Sequence, residues 1–271
     1  MKRLLSFLTV LLLLMPTAVD ASSTKVTNIG ITCQIDQNGT ATFVEKWDMD
    51  VSEGTEGYKI FNGMNDQPLT LIGVTDDHGV TYKNIGTWDS DVSRESKINK
   101  CGLIKDGGHY ELCFGLGDYG TRSYTMVYQI EHFVNQYQDQ QGINYAFISD
   151  MSLDVADVTI HVTGMTPYSK ENAKIWAFGY SGSVNFDNGG VTLKTDSLGS
   201  NKMQLLMGLE SNSYTSPNKR HASEKFEDVV KDAKEGSSYS GGMSKAAMIM
   251  IFIFILSLIH ISEPTRQEAI S

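Results

Sequence analysis

The chain has 271 residues, with 22 Lys and Arg against 32 Asp and Glu, and a formal net charge of −10. That balance argues against nucleic acid or phosphate-rich surfaces as partners, because such faces need clustered basic side chains. Three cysteines without a Cys-X-X-Cys pair, and histidines without a His-Glu-X-X-His run, point to no metal site and no cofactor.

The N-terminus carries Lys2-Arg3, an apolar run from Leu4 to Met15, then Pro16 and the small-residue site Val19-Asp20-Ala21. This is the pattern of a signal peptide over residues 1–21, its apolar run far short of the ~20 residues of a membrane span. The domain that follows, residues 22–215, is therefore expected outside the cytoplasm.

Val26 to Val51 holds two runs with apolar residues at every second position, Ile29 to Ile35 and Ala41 to Val51, around Asp36-Gln37-Asn38-Gly39. The alternation predicts a β-hairpin with one buried face, and Asn38-Gly39 supplies the residues that most easily take positive φ. Leu69 to Thr75 and Val80 to Tyr82 flank Asp76-Asp77-His78-Gly79 in the same way. Lys83 to Asn99 is polar, with Trp88 alone in it. Cys101 to Gly117 has Asp106-Gly107-Gly108 at its centre and predicts another hairpin.

Tyr124 to Phe133, Ile143 to Ile148, Val155 to Val162, Lys174 to Tyr180, Val184 to Phe186, Val191 to Lys194 and Met203 to Met207 complete a set of short strands. Strands at this spacing, with no helical pattern between them, predict an all-β fold, an antiparallel β-sandwich. A helical period occurs at Phe226, Val229, Val230 and Ala233, with Ser223 as N-cap and Gly236 as the stop. Residues 216–242 thus form a short amphipathic helix, its stripe packed on the sandwich, and a Gly/Ser linker.

Residues 243–255 begin a transmembrane helix whose apolar character is interrupted before a bilayer is crossed. The string LSLIHISEPTR, Leu256 to Arg266, resembles an in-frame translation of a sequencing-library adaptor. Residues 256–271 are accordingly expected to be non-native, and the membrane helix truncated.

Trp88 to Ile130, the strand GTATFVEKWDMDV and the segment IWAFGYSGSVNF together resemble the exported β-rich domain of YciQ-like predicted bacterial membrane proteins, a domain-of-unknown-function family. Phe114 stands where that family's pattern carries a tryptophan. The resemblance implies a signal peptide, an external β-domain and then membrane helices. It carries over no catalytic residues.

Cys101 and Cys113 lie six residues either side of Gly107, so a hairpin centred there faces them across two strands and permits a disulfide in an oxidising compartment. Trp47, Trp88, Trp176, Tyr119 and Tyr180 are candidates for an aromatic platform. Trp47 and Trp176 lie in alternating strands and are expected in the core, while Trp88 is the candidate ligand-facing aromatic. The function expected is a membrane-anchored, non-enzymatic sensing or interaction module with a protein or glycan partner outside the cell. The alternatives are a cell-envelope hydrolase with two carboxylates in one cleft, or a carbohydrate-binding module.

Overall fold

The computed structural model describes residues 24–149, 151, 153, 155–198 and 202–236. The expected signal peptide, membrane segment and adaptor-like tail lie outside them. Among the described residues no helix is long and apolar enough to cross a membrane.

Strands β1 (Lys25–Ile35) and β2 (Ala41–Val51) form the predicted hairpin, with Cys33 opposite Phe43 and Ile29 opposite Trp47. The turn differs from expectation. Only Gly39 of the Asn38-Gly39 pair has positive φ, and the Asp36 carboxylate accepts the N–H groups of Asn38 and Thr40 at 2.8 and 3.0 Å. A longer loop ending in a left-handed glycine meets the same twist requirement. Asp76 and Gly79 repeat the construction, the Asp76 carboxylate accepting His78 N–H and Val80 N–H at 3.0 Å each.

The hairpin is the centre of a seven-stranded sheet ordered β13-β14-β11-β1-β2-β8-β4. Its other members are β4 (Leu69–Asp76), β8 (Gly120–Ile130), β11 (Val155–Thr163), β13 (Ser183–Asp187) and β14 (Gly190–Thr195). A second sheet orders β3 (Glu56–Phe61), β7 (His109–Gly115), β6 (Lys100–Asp106) and β5 (Lys83–Thr87). A third orders β12 (Ala173–Phe178), β15 (Lys202–Leu209), β10 (Gln141–Ser149) and β9 (Asn135–Gln136). The fold is all-β as expected but not purely antiparallel. β1 pairs with β11, and β5 with β6, in parallel.

The two smaller sheets share the inner face of the large one. Phe114 of the second sheet meets Trp47 and Tyr124 at 6.2 and 4.7 Å between ring centroids, and Phe61 meets Tyr128 at 5.3 Å. Phe147 and Tyr145 of the third sheet meet Phe43 at 6.1 and 5.9 Å. Phe43 in turn stacks on Tyr128 at 4.8 Å, a contact of roughly 0.5–1.5 kcal/mol beyond its area. β2 therefore runs beneath the seam between the smaller sheets, Phe43 on one side of it and Trp47 on the other.

Lys83 to Asn99, read as a polar stretch, contains β5 and a short helix, α1 (Arg94–Lys97). The segment from Trp88 to Ile98 covers the outer face of the second sheet. It lies so close that a Cβ on Gly115 would fall 2.0 Å from the Lys97 carbonyl oxygen. On the third sheet, α2 (Phe226–Gly236) packs Phe226 and Val230 against Tyr137, Phe178 and Leu206, as the stripe predicted. Its first N–H is held by the Asp139 carboxylate at 2.9 Å rather than by Ser223.

The expected disulfide requires correction. The turn is the two-residue Gly107-Gly108 loop, closed by Asp106 opposite His109, so the hairpin is centred between the two glycines. Cys101 then faces Phe114, and Cys113 faces Gly102. One residue of offset sends the two side chains to opposite faces of the sheet, and Cys33, Cys101 and Cys113 are all free and buried. Cys101 lies in the core, where burial pushes its thiol up to about 11. Cys113 lies under the Trp88 to Ile98 segment, where burial and then the charges of Glu56 and Glu111 push its thiol up to about 12.

Gly115→Ala should force the Trp88 to Ile98 segment off the sheet at a cost of about 1–3 kcal/mol. Maleimide labelling of the folded chain then accelerates at Cys113 while Cys33 and Cys101 stay protected. Unfolding in denaturant without reductant should release three alkylatable thiols, and a Cys101–Cys113 cross-linked peptide would contradict the register.

Candidate functional site

The inward positions of β2 are Ala41, Phe43, Glu45, Trp47, Met49 and Val51, and Glu45 is as completely buried as its neighbours. Its carboxylate accepts four hydrogen bonds. Lys59 Nζ reaches Oε1 at 2.9 Å and Oε2 at 2.7 Å, Trp47 Nε1–H donates to Oε1 at 2.7 Å, and Tyr128 O–H donates to Oε2 at 2.7 Å. Lys59, on β3, completes its own set by donating to the Phe147 carbonyl oxygen at 2.8 Å. That carbonyl belongs to β10, where Phe147 is the extra residue of a bulge against β15. One ion pair thus ties together all three sheets at the seam. Burial, then the neighbouring Glu45 charge, pushes the Tyr128 hydroxyl well above its ordinary pKa, so it stays a donor to Glu45.

Beside this pair a cleft of about 540 Å³ opens along the seam. Trp47, Met49, Leu116, Met151 and Leu153 supply its apolar wall, and Glu53 and Glu56 its rim. Thr24 closes one end, its hydroxyl oxygen accepting the N–H groups of Ser52 and Glu53 at 3.0 and 3.1 Å. Glu56 is held from the other side by Lys97 Nζ at 3.1 Å and by Trp88 Nε1–H at 2.6 Å. Lys97 is itself only 3% exposed and also donates to the Ser90 carbonyl at 2.7 Å.

The expectation for Trp88 is corrected here. At 4% exposure it is a buried member of the Glu56–Lys97 cluster, not a ligand-facing ring. Trp47 is in the core as expected, and Trp176 lies under α2, 6.2 Å from Phe226 with Lys234 Nζ 5.5 Å from its ring. Tyr180 is buried and Tyr119 exposed, so the five aromatics form no common strip. Glu45 and Lys59 were missed in the sequence, although one signal for Glu45 is there: a carboxylate at an inward position of an otherwise apolar alternation.

A second polar cluster stands on the large sheet. Asp76, Asp77 and His78 bring ligand atoms within 4.8 Å of one another, the one such group among the described residues. The Arg122 guanidinium already meets them, Nε–H donating to Asp77 at 2.9 Å with Asp76 and His78 Nδ1 at 3.4 Å. A fixed cation there supplies the charge that a metal ion would. Burial acts to raise Asp77, but the Arg122 hydrogen bond and charge outweigh it and hold the carboxyl below its ordinary value.

Structure and site together define a β-sandwich with a cleft where its split second layer meets. The chain belongs to the family described as the predicted membrane protein (DUF2207) N-terminal domain, whose pattern matches residues 25–203. No curated protein matches the sequence. Among solved structures, a candidate protease from Parabacteroides distasonis is similar at TM-score 0.41 and 10% identity, over 70% of this chain and 41% of that one. Leukotriene A4 hydrolase from Saccharomyces cerevisiae gives 0.43 and 7%, over 69% and 29%. An M1 zinc metallopeptidase from Deinococcus radiodurans gives 0.35 and 11%, over 69% and 42%. The chain thus spans less than half the length of each, and likenesses of this size carry no argument about activity.

Two outcomes follow from the geometry. Lys59→Met strands the Glu45 charge and should lower the unfolding free energy by about 3–5 kcal/mol, most of it recovered in the Glu45→Leu, Lys59→Met double variant, as read from a urea denaturation cycle. Asp77 has a depressed folded pKa, so its stabilisation is complete above its unfolded value of about 3.9 and is lost as pH falls through the lower folded value. Asp77→Asn should remove that part of the acid limb of the stability curve.

Proposed function

We propose that this chain is a membrane-anchored module whose sandwich lies outside the cytoplasm and binds a protein or glycan partner at the seam cleft without acting on it chemically. In this reading residues 22–215 form the external domain, residues 216–242 the helix and linker, residues 243–255 the start of the membrane anchor, and residues 256–271 a non-native tail. The family's description as predicted membrane proteins supports the anchoring.

The observation that carries the binding role is the cleft itself, an apolar wall with an acidic rim. Two carboxylates at or beside it are committed to structure: Glu45 accepts four hydrogen bonds, and Glu56 is fixed by Lys97 and Trp88. One observation favours hydrolysis as a second reading, for Glu53 and Glu56 line the same cleft. A glycosidase needs such a pair, one member holding a proton and the other free to attack or to activate water.

Orientation and chemistry can be tested together in the full-length chain. A cysteine at Met165, 63% exposed, should react with a membrane-impermeant maleimide in intact spheroplasts, and labelling only after lysis would refute the external placement. A photoreactive residue at Tyr58, on the cleft, should cross-link to an envelope component. Turnover of cell-wall glycan or peptide that disappears in Glu53→Gln and Glu56→Gln would establish the hydrolase instead.

A further inference from the structure

The segment from Trp88 to Ile98 buries two side chains, and both end on the same atom. Trp88 and Lys97 are 4% and 3% exposed, Arg94 and Ile98 are half-buried, and the other residues of the segment face solvent. Glu56 Oε2 accepts the Trp88 Nε1–H at 2.6 Å and pairs with Lys97 Nζ at 3.1 Å. The remaining acceptors of Lys97 are neutral, the Thr55 hydroxyl at 3.1 Å and the Ser90 carbonyl of its own segment at 2.7 Å. Arg94 adds a bond to the Gly117 carbonyl and lies 4.5 Å from the exposed ring of Tyr119. Glu56 stands opposite Gly115 in the ladder of β3 and β7, beside the place where the segment lies closest to the sheet. The same glutamate lines the seam cleft next to Glu53. One carboxylate therefore serves both the cover of the second sheet and the rim of the cleft.

We propose that Glu56 couples the two: a cationic group entering the cleft takes the Glu56 carboxylate, and the Trp88 to Ile98 segment is released from the second sheet. The inference rests on the binding role proposed for the cleft and adds its regulation. The chemistry is competition for one anion. An ammonium held between Glu53 and Glu56 draws the Glu56 carboxylate toward itself and weakens its hold on Lys97. Lys97 is too deeply buried to keep its charge with neutral acceptors alone, and it regains water when the segment lifts. The Trp88 N–H loses its acceptor in the same movement and is hydrated with it. Release uncovers Cys113 and the backbone at Gly115, which the closed segment covers. Coupling is reciprocal, so an opened segment binds the cation more tightly by the same factor.

The test uses the full chain in a neutral detergent. The probe is L-leucinamide, an ammonium beside an apolar side chain, and its control is N-acetyl-L-leucinamide, which lacks the charge. Opening is read as the rate at which dithiodipyridine modifies Cys113, assigned by peptide mass, and affinity is read by calorimetry. Saturating leucinamide should accelerate Cys113 about tenfold while Cys33 and Cys101 stay protected, and the acetylated control should leave the rate unchanged. Glu56→Gln should open the segment with no probe present. Lys97→Met buries no charge, so it should stay closed with leucinamide bound. Gly115→Ala, which forces the segment off the sheet, should bind leucinamide more tightly by the factor seen in labelling. Leucinamide that binds without accelerating Cys113, or acceleration that survives in Lys97→Met, overturns the coupling and leaves the binding role standing. Failure of leucinamide to bind overturns the coupling too, and the binding role then stands or falls with the Tyr58 cross-link to an envelope component.

Discussion

The structure depends on placing a full ion pair in its driest region. Transferring a carboxylate and an ammonium from water costs several kcal/mol each, and attraction offsets that only when every remaining donor and acceptor is matched. Here the matching is complete, with four bonds to Glu45 and three from Lys59. Two well-packed apolar side chains would be about as stable, so the charges are better understood as setting position. The pair fixes β3 and the bulge of β10 to one point on β2. Without it the two smaller sheets would lose this directional tie at the seam.

Polar anchoring recurs where one layer has to be held onto another. Glu56 takes Lys97 and Trp88 on the outer face of the second sheet, and that cluster holds down a segment that is otherwise polar and short of apolar anchors. Gly115 allows the approach, and Cys113 is sealed beneath it. The third sheet is covered by a different means. α2 packs one aromatic ring onto Gly142 and Gly208, where added Cβ atoms would lie 2.8 and 3.0 Å from Phe226. Charge fastens one cover and close approach of a ring to bare backbone fastens the other, as their sequences allow.

Much of the large sheet was legible because its strands alternate cleanly and one face is buried. What stayed hidden has specific causes. The inward positions of β3 are Gly57, Lys59 and Phe61, one without a side chain and one charged, so no alternation marks it as a strand. Trp88 looked solvent-facing because its chain neighbours are polar, yet its indole N–H leaves water by bonding to Glu56 on β3, distant in sequence. The cysteine pairing failed on half a residue, since centring the hairpin on one glycine rather than between two reverses the face of one thiol. The parallel pairing of β1 with β11 joins segments far apart in sequence, and no local signal announces it. Glu45 was legible in principle. A buried carboxylate in an apolar alternation announces a partner, though it cannot name Lys59.

The same pair bears on how the seam resists unwanted association. Open strand edges invite pairing with any exposed strand, and proteins restrain them with inward-pointing charges, bulges or cover. β3 carries an inward lysine and β10 a bulge at Phe147, and both edges line a groove rather than a protruding rim. Any strand approaching there meets a lysine already committed to Glu45. Flat association between copies of the domain is disfavoured by the same features.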